Sequence, residues 1–290
     1  ASAESVAKRQ PYSGEPDPSF PLWRWRLRRG DLRLDKIKDW VTSWVDAGHE
    51  HPRLLCQPSD FAAIRRKVEA VPELRENRDR TLQDHCTDRY LLQDEHSGLA
   101  AIEAATEAGK RVETVLERGY AGPVYAIGLG RPLRRYVMAC DMQWDAFSAK
   151  EREEARRVCA LGSYILTDGD WWQYAFRKDE TTHLPNFNTD VVTAAGLTGL
   201  FLSDHPCSQA WIGYLLQRLE IERDYHLRLD GGGEENVGAY LPATWKQLYF
   251  PVLWALRHCG VRDYSTDARI QAGARFLIKA LGPPDARDEG

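Results

Sequence analysis

Four polar side chains stand where they could do chemistry: His183, Asn186 and Asn188 within six residues, and Tyr240, which follows Asn186 by 54 positions. An asparagine amide can hydrogen-bond a carboxylate and stabilise enolate-like charge as it develops. A tyrosine hydroxyl can take a proton and return it, provided nearby cations depress its pKa from about 10. His183 can act as a second acid or base if its loop turns inward. Each has a plainer reading. Asparagine after Pro185 is a favoured helix N-cap, a tyrosine on a helix packs its ring, and a loop histidine sits at the surface.

Carboxylates cluster at Asp230, Glu234 and Glu235 beside the Gly231-Gly232-Gly233 run. Glu234 or Glu235 can orient Tyr240 or a substrate, or simply occupy a helix first turn, where acids favour the macrodipole. Trp171, Trp172 and Trp245 offer flat apolar rings on which a sugar face stacks; core packing is their competing fate in a chain with 10 tryptophans. Arg177 and Lys178 can meet an acidic glycan or form an ordinary exposed basic pair. His226 and His258 read as structural or surface groups on helices. The six cysteines are scattered without a CxxC pair and read mostly as core thiols. No grouping of His, Cys and carboxylate has metal-ligand spacing, so neither a metal nor another cofactor is expected.

The elements that must position these groups are helical. Pro58-Ser59-Asp60 followed by Phe61, Ile64 and Val68 gives an N-cap and then helical apolar spacing. Further helices are expected over about 73–93, 97–118, 123–146, 149–166, 186–203, 207–228, 235–259 and 267–281. Ser148 and Glu151 form a capping box at the start of one of them. Asp204-His205-Pro206 and the triple glycine break the next two. Ten or so such helices in antiparallel pairs suit a toroid better than a four-helix bundle. No repeat of about 20 to 50 residues is legible, which argues against a repeat-array solenoid. We divide the chain into an irregular arm with one short helix at 1–50, a helical domain at 51–282 and a polar tail at 283–290.

A net charge of -4 and 28% charged residues leave no global basic field, so nucleic acid is not an expected partner. The basic stretch from Trp23 to Arg33 reads as a solvated arm. No run approaches the roughly eighteen apolar residues that a membrane span needs. The start at Ala1-Ser2-Ala3 is compatible with a mature exported chain, so a secreted or periplasmic location is the expectation.

Four blocks stand in order along the chain: His51-Pro52-Arg53-Leu54-Leu55 with the helix after it; Met138 to Arg157 with its capped Phe147-Ser148-Ala149-Lys150-Glu151-Arg152; Asn186-Phe187-Asn188 leading to Ser203-Asp204; and Asp230-Gly231-Gly232-Gly233-Glu234-Glu235 followed by Tyr240. Together they resemble the helical N-terminal domain of heparinase II/III-like polysaccharide lyases, whose relatives include alginate lyases and dermatan sulfate epimerase. The resemblance covers about residues 51 to 282. It implies an all-α fold, an incomplete α/α toroid of antiparallel helical hairpins, without the family's C-terminal β-sandwich domain in this chain. That domain, which supplies a catalytic histidine in the family, is the implied partner within the parent protein. The implied substrate is an acidic, uronate-containing polysaccharide, cleaved by β-elimination. Asn186 and Asn188 then neutralise the uronate carboxylate, Tyr240 serves as base and acid, and His183 assists. Trp171, Trp172, Arg177, Glu235 and Trp245 bind the sugar. Where many members carry a histidine beside the asparagine, this chain has Phe187 and Asn188.

Two other readings stay open at this level. One is an inverting glycoside hydrolase that uses Asp230 with Glu234 or Glu235, a chemistry that needs carboxyls about 6.5 to 9.5 Å apart. The other is a non-catalytic helical scaffold that binds glycan or protein.

Overall fold

The structure is a computed structural model that describes residues 40–70, 109, 129–167, 185–233, 241, 244–245 and 249–280. Its regular elements are helices: α1 (Phe61–Ala70), α2 (Arg131–Gln143), α3 (Ala149–Thr167), α4 (Pro185–Phe201), α5 (Ser208–Ile221), α6 (Phe250–His258) and α7 (Ala268–Ala280). A π-helical turn, Glu222–His226, extends α5. Among the described residues there is no strand, only an isolated antiparallel bridge between Leu227 and Gly233. The expectation of an all-α chain holds for them, and the boundaries of α3, α4 and α7 fall within two residues of those read from the sequence. The helix expected over 73–93 lies outside the described residues, as does that over 97–118 apart from the helical Gly109.

Two local expectations meet different outcomes. At α3 the Glu151 carboxylate accepts from the Ser148 backbone N–H at 2.7 Å and the Ser148 hydroxyl accepts from the Glu151 N–H at 3.4 Å, the reciprocal pair of a capping box. Ahead of α1, Pro58–Asp60 forms a 3-10 turn capped from Gln57, whose N–H donates to Asp60 Oδ2 at 3.0 Å, so the cap falls just before the Pro58-Ser59-Asp60 segment and not within it.

The core is organised around α4, which packs against α2, α3, α5 and α6. Every residue from Thr189 to Phe201 is buried, and a helix enclosed on all sides must be apolar or small all round. Val191, Val192, Ala194, Ala195, Leu197 and Leu200 meet that demand. Two glycines set the separation from α5: a Cβ on Gly196 would overlap the Leu215 side chain, and one on Gly199 would lie 2.8 Å from the Ser208 carbonyl oxygen. Gly213, on the solvent side of α5, has nothing within 4 Å of its Cβ position.

Gly199 and Gly213 therefore respond oppositely to the same methyl. Both gain helix propensity of about 1 kcal/mol on becoming alanine. In Gly199→Ala the methyl meets backbone that cannot rotate away, and overpacking of about 1–3 kcal/mol outweighs the gain. We expect Gly199→Ala to lower the urea midpoint at unchanged slope and Gly213→Ala to raise it. Equal shifts in the two variants would disprove the close α4–α5 approach.

Candidate active site at the start of helix α4

Helix α4 begins at Pro185, a residue preorganised for the first helical position because its ring fixes φ and its missing N–H would have no intrahelical partner. Asn186 and Asn188 are thus the second and fourth residues of the helix, inside its first turn and not at the cap. Their positions differ by about 200° around the axis, so the two do not share a face. Asn186 stands four residues, one turn, ahead of Asp190.

Asp190 is the charged centre of this end of the fold, only 1% exposed. Its Oδ2 accepts from Arg131 Nη2 at 3.0 Å, and its Oδ1 lies 3.9 Å from Arg134 Nη2. Both arginines come from the first turn of α2, brought close by Gly130, whose Cβ would lie 2.9 Å from the Asp190 backbone. Burial raises the Asp190 carboxyl pKa against the pull of Arg134 and Arg131. Burial also pulls the Arg134 guanidinium down to about 10, partly offset by Asp190, which leaves it protonated at neutral pH. Arg131 is 35% exposed and carries its charge to the surface. This end of α4 therefore sets the buried Asp190 against two arginines beside the asparagine turn, and of these the partly exposed Arg131 can meet a further anion.

Helix α2 is fixed in place by a second buried carboxylate, Asp141, about three turns beyond Arg131. Asp141 receives the backbone N–H groups of Arg53 (3.1 Å to each oxygen) and Leu54 (2.9 Å). His51 Nδ1 lies 2.7 Å from its Oδ1, with the ring set between Trp144 and Phe201. Arg53 Nη1 donates to Ser203 Oγ at 2.7 Å beyond the end of α4, and the Trp254 indole of α6 donates to the Leu55 carbonyl at 2.6 Å. The His51–Leu55 segment is thereby bound to α2, α4 and α6 together. Cys56 lies beside it, and burial reinforced by Asp141 and Asp60 pushes its thiol up to about 12, so it stays an unreactive thiol.

The glycine run forms a tight reversal after the π turn. Arg228 N–H donates to the Gly232 carbonyl at 2.8 Å, and the Gly232 N–H donates to Asp230 Oδ1 at 2.9 Å. Gly231 has φ +91°, and a side chain there would run into the Ala272 carbonyl of α7, so only glycine fits. Asp230 thus serves its own turn. Gly233 abuts Leu241, the neighbour of Tyr240 in sequence.

The sequence offers the Trp245 ring to sugar, and the structure corrects this. The ring is in the core, 2% exposed, against Tyr249 and the bare Cα of Gly273 on α7, so no sugar face reaches it there. His226 is buried, in keeping with a structural role. Trp171, Trp172, Arg177, His183, Glu235 and Tyr240 lie outside the described residues, and the side chains of Asn186 and Asn188 do as well.

The groups that residue-by-residue reading overlooks are Arg131, Arg134 and Asp190. A signal is present: Asp190 is the one charge in the otherwise uncharged run from Pro185 to Phe201. Among the described residues no cluster of three His, Cys, Asp or Glu could hold a metal, and no helix is long and apolar enough to cross a membrane. Compared with family models, with curated proteins and with solved structures, the chain finds no match in any of the three.

Proposed function

We propose that this chain is the helical, toroid-forming part of an exported polysaccharide lyase that cleaves uronate-containing chains by β-elimination. The observation that carries the reading is the placement of Asn186 one helical turn ahead of Asp190, on the helix that Arg131 and Arg134 meet. A uronate carboxylate bound there pairs with the partly exposed Arg131 cation, beside the helix position that carries Asn186. Neutralised in this way, it lets the C5 proton become acidic enough to leave. Tyr240 takes that proton, electrons form the C4=C5 double bond, the C4–O bond breaks, and the proton passes to the departing oxygen. The hydrolase alternative would use Asp230, whose Oδ1 accepts from the Gly232 amide, as its base, and the product distinguishes the two readings.

The family's β-sandwich histidine is the third role in this scheme, and Asn186 with Tyr240 fill two. The test incubates this chain, alone and joined to such a domain in its parent polypeptide, with heparan sulfate, chondroitin, hyaluronan and alginate. Ultraviolet absorbance of an unsaturated product is expected from the longer protein and at most weakly from this chain. New reducing ends without absorbance would establish hydrolysis. Silence of the longer protein on the whole panel would leave a binding scaffold.

A further inference from the structure

The segment from Trp40 to Ala47 has no secondary structure, yet it is tied down at both ends. Trp40 stacks on Tyr164 of α3 with centroids 4.8 Å apart. Val41 donates its N–H to Tyr164 Oη at 3.0 Å, and its carbonyl lies 2.9 Å from His205 Nε2. Six residues on, the Ala47 N–H donates to Asp204 Oδ2 at 3.0 Å. His205 is therefore a hub between this strap and the α4–α5 turn, with its ring stacked on Trp211 (4.6 Å) and edge-on to Trp44 (4.5 Å).

The hydrogen bonds fix the protonation of the ring. The Cys207 backbone N–H donates to His205 Nδ1 at 2.9 Å, so Nδ1 carries no proton. Nε2 carries it and donates to Val41. A second proton has nowhere to go. At Nδ1 it would point at the Cys207 N–H, donor against donor, and turning the ring to escape would break the Val41 bond and disturb its contacts with Trp44, Tyr164 and Trp211. The charged neighbours do not offer a better home. Arg156 of α3 lies over the Trp44 ring at 4.3 Å and adds repulsion. Asp204 attracts, but its Oδ2 is already held by Arg156 at 2.9 Å and by the Ala47 N–H. Asp46 is likewise paired with Arg156, at 3.0 Å. Tyr164 and Cys207 face each other at 3.3 Å, and burial keeps the phenol protonated well past neutrality.

We propose that His205 is an acid-sensitive latch: neutral, it clasps residues 40–47 to the junction of α3, α4 and α5, and protonated, it releases them. The direction follows by linkage. Burial holds His205 below its ordinary value of 6.5, despite the Val41 carbonyl and Asp204. A depressed histidine resists protonation in the docked state, so docking is complete above that ordinary value. It weakens as pH falls through it, and the loss levels off below the docked-state value. Asp204 sits lower than a usual carboxylate and remains ionised through this window.

Hydrogen exchange of the peptide spanning residues 40–47, corrected for intrinsic rates, is compared at pH 7.5 and 5.5. Protection is expected to fall about tenfold at the lower pH, while the buried α4 amides keep theirs. His205→Asn retains an acceptor for the Cys207 N–H and does not titrate, so the pH response should vanish in it and persist in His49→Gln, an exposed control. Unchanged protection in the wild type, or a full pH response in His205→Asn, would overturn the latch. Nitrogen-detected NMR of the unmodified protein decides the matter without a variant: an Nδ1–H tautomer, or a His205 pKa at or above 6.5, is fatal to it.

Discussion

Replacing Asp141 by alanine is expected to cost about 3–5 kcal/mol of folding stability and to lower Tm by roughly 10 °C. The side chain is 1% exposed and satisfies two backbone N–H groups, of Arg53 and Leu54, as well as His51. Alanine would strand these donors in a site sealed by Trp144 and Phe201, and an orphaned buried donor costs more than the bond it loses was worth. The substitution Asp141→Asn keeps the volume but turns one oxygen into an amide that faces other donors, so it should recover only part of the loss. Thermal and urea unfolding of the three proteins checks this. A loss within about 0.5 kcal/mol, the scale of an ordinary surface change, would show that the carboxylate does not hold the segment.

Under the lyase reading, Tyr240→Phe is expected to lower kcat by about 10²–10⁴ with little change in KM, because it removes proton transfer and not binding. Asn186→Ala should act on the same scale, since carboxylate neutralisation matters most as enolate charge develops. Asn188→Ala should cost far less, because its position lies about 200° around α4 from Asn186 and away from the Asp190 face. The measurement is the initial rate of unsaturated product formation over a range of substrate concentrations, alongside the melting curve of each variant. Full activity in Tyr240→Phe would eliminate it as the base. Equal losses in the two asparagine variants would contradict the face assignment.

Local rules suffice to read much of the helical scaffold. Apolar periodicity and the Ser148–Glu151 box place α3, and the Pro206 break separates α4 from α5, because these signals act within a few residues. Nonlocal facts are not legible in the same way. Nothing near Asp141 in sequence announces that its partners are 87 to 90 residues upstream. The pairing of Asp190 with Arg131 spans 59 residues and depends on Gly130 allowing α2 against α4. Trp245 shows the same limit in reverse. A tryptophan near a glycine-rich turn fits a sugar platform as well as a core, and Gly273 on a distant helix decides for the core.

The bonds that join Arg53 and Leu55 to α6 and its C-terminal end link positions 206 and 199 residues apart. Closing loops of that length is entropically costly, and local helix formation does nothing to offset it, so this seam can close only after α2, α4 and α6 have assembled. Leu54 of this seam lies fully buried in the same core as α2 and α4, so the seam comes apart together with that core and not ahead of it. Damage to one short segment is then felt as loss of the whole fold, because the segment fastens parts of the chain that nothing local holds together.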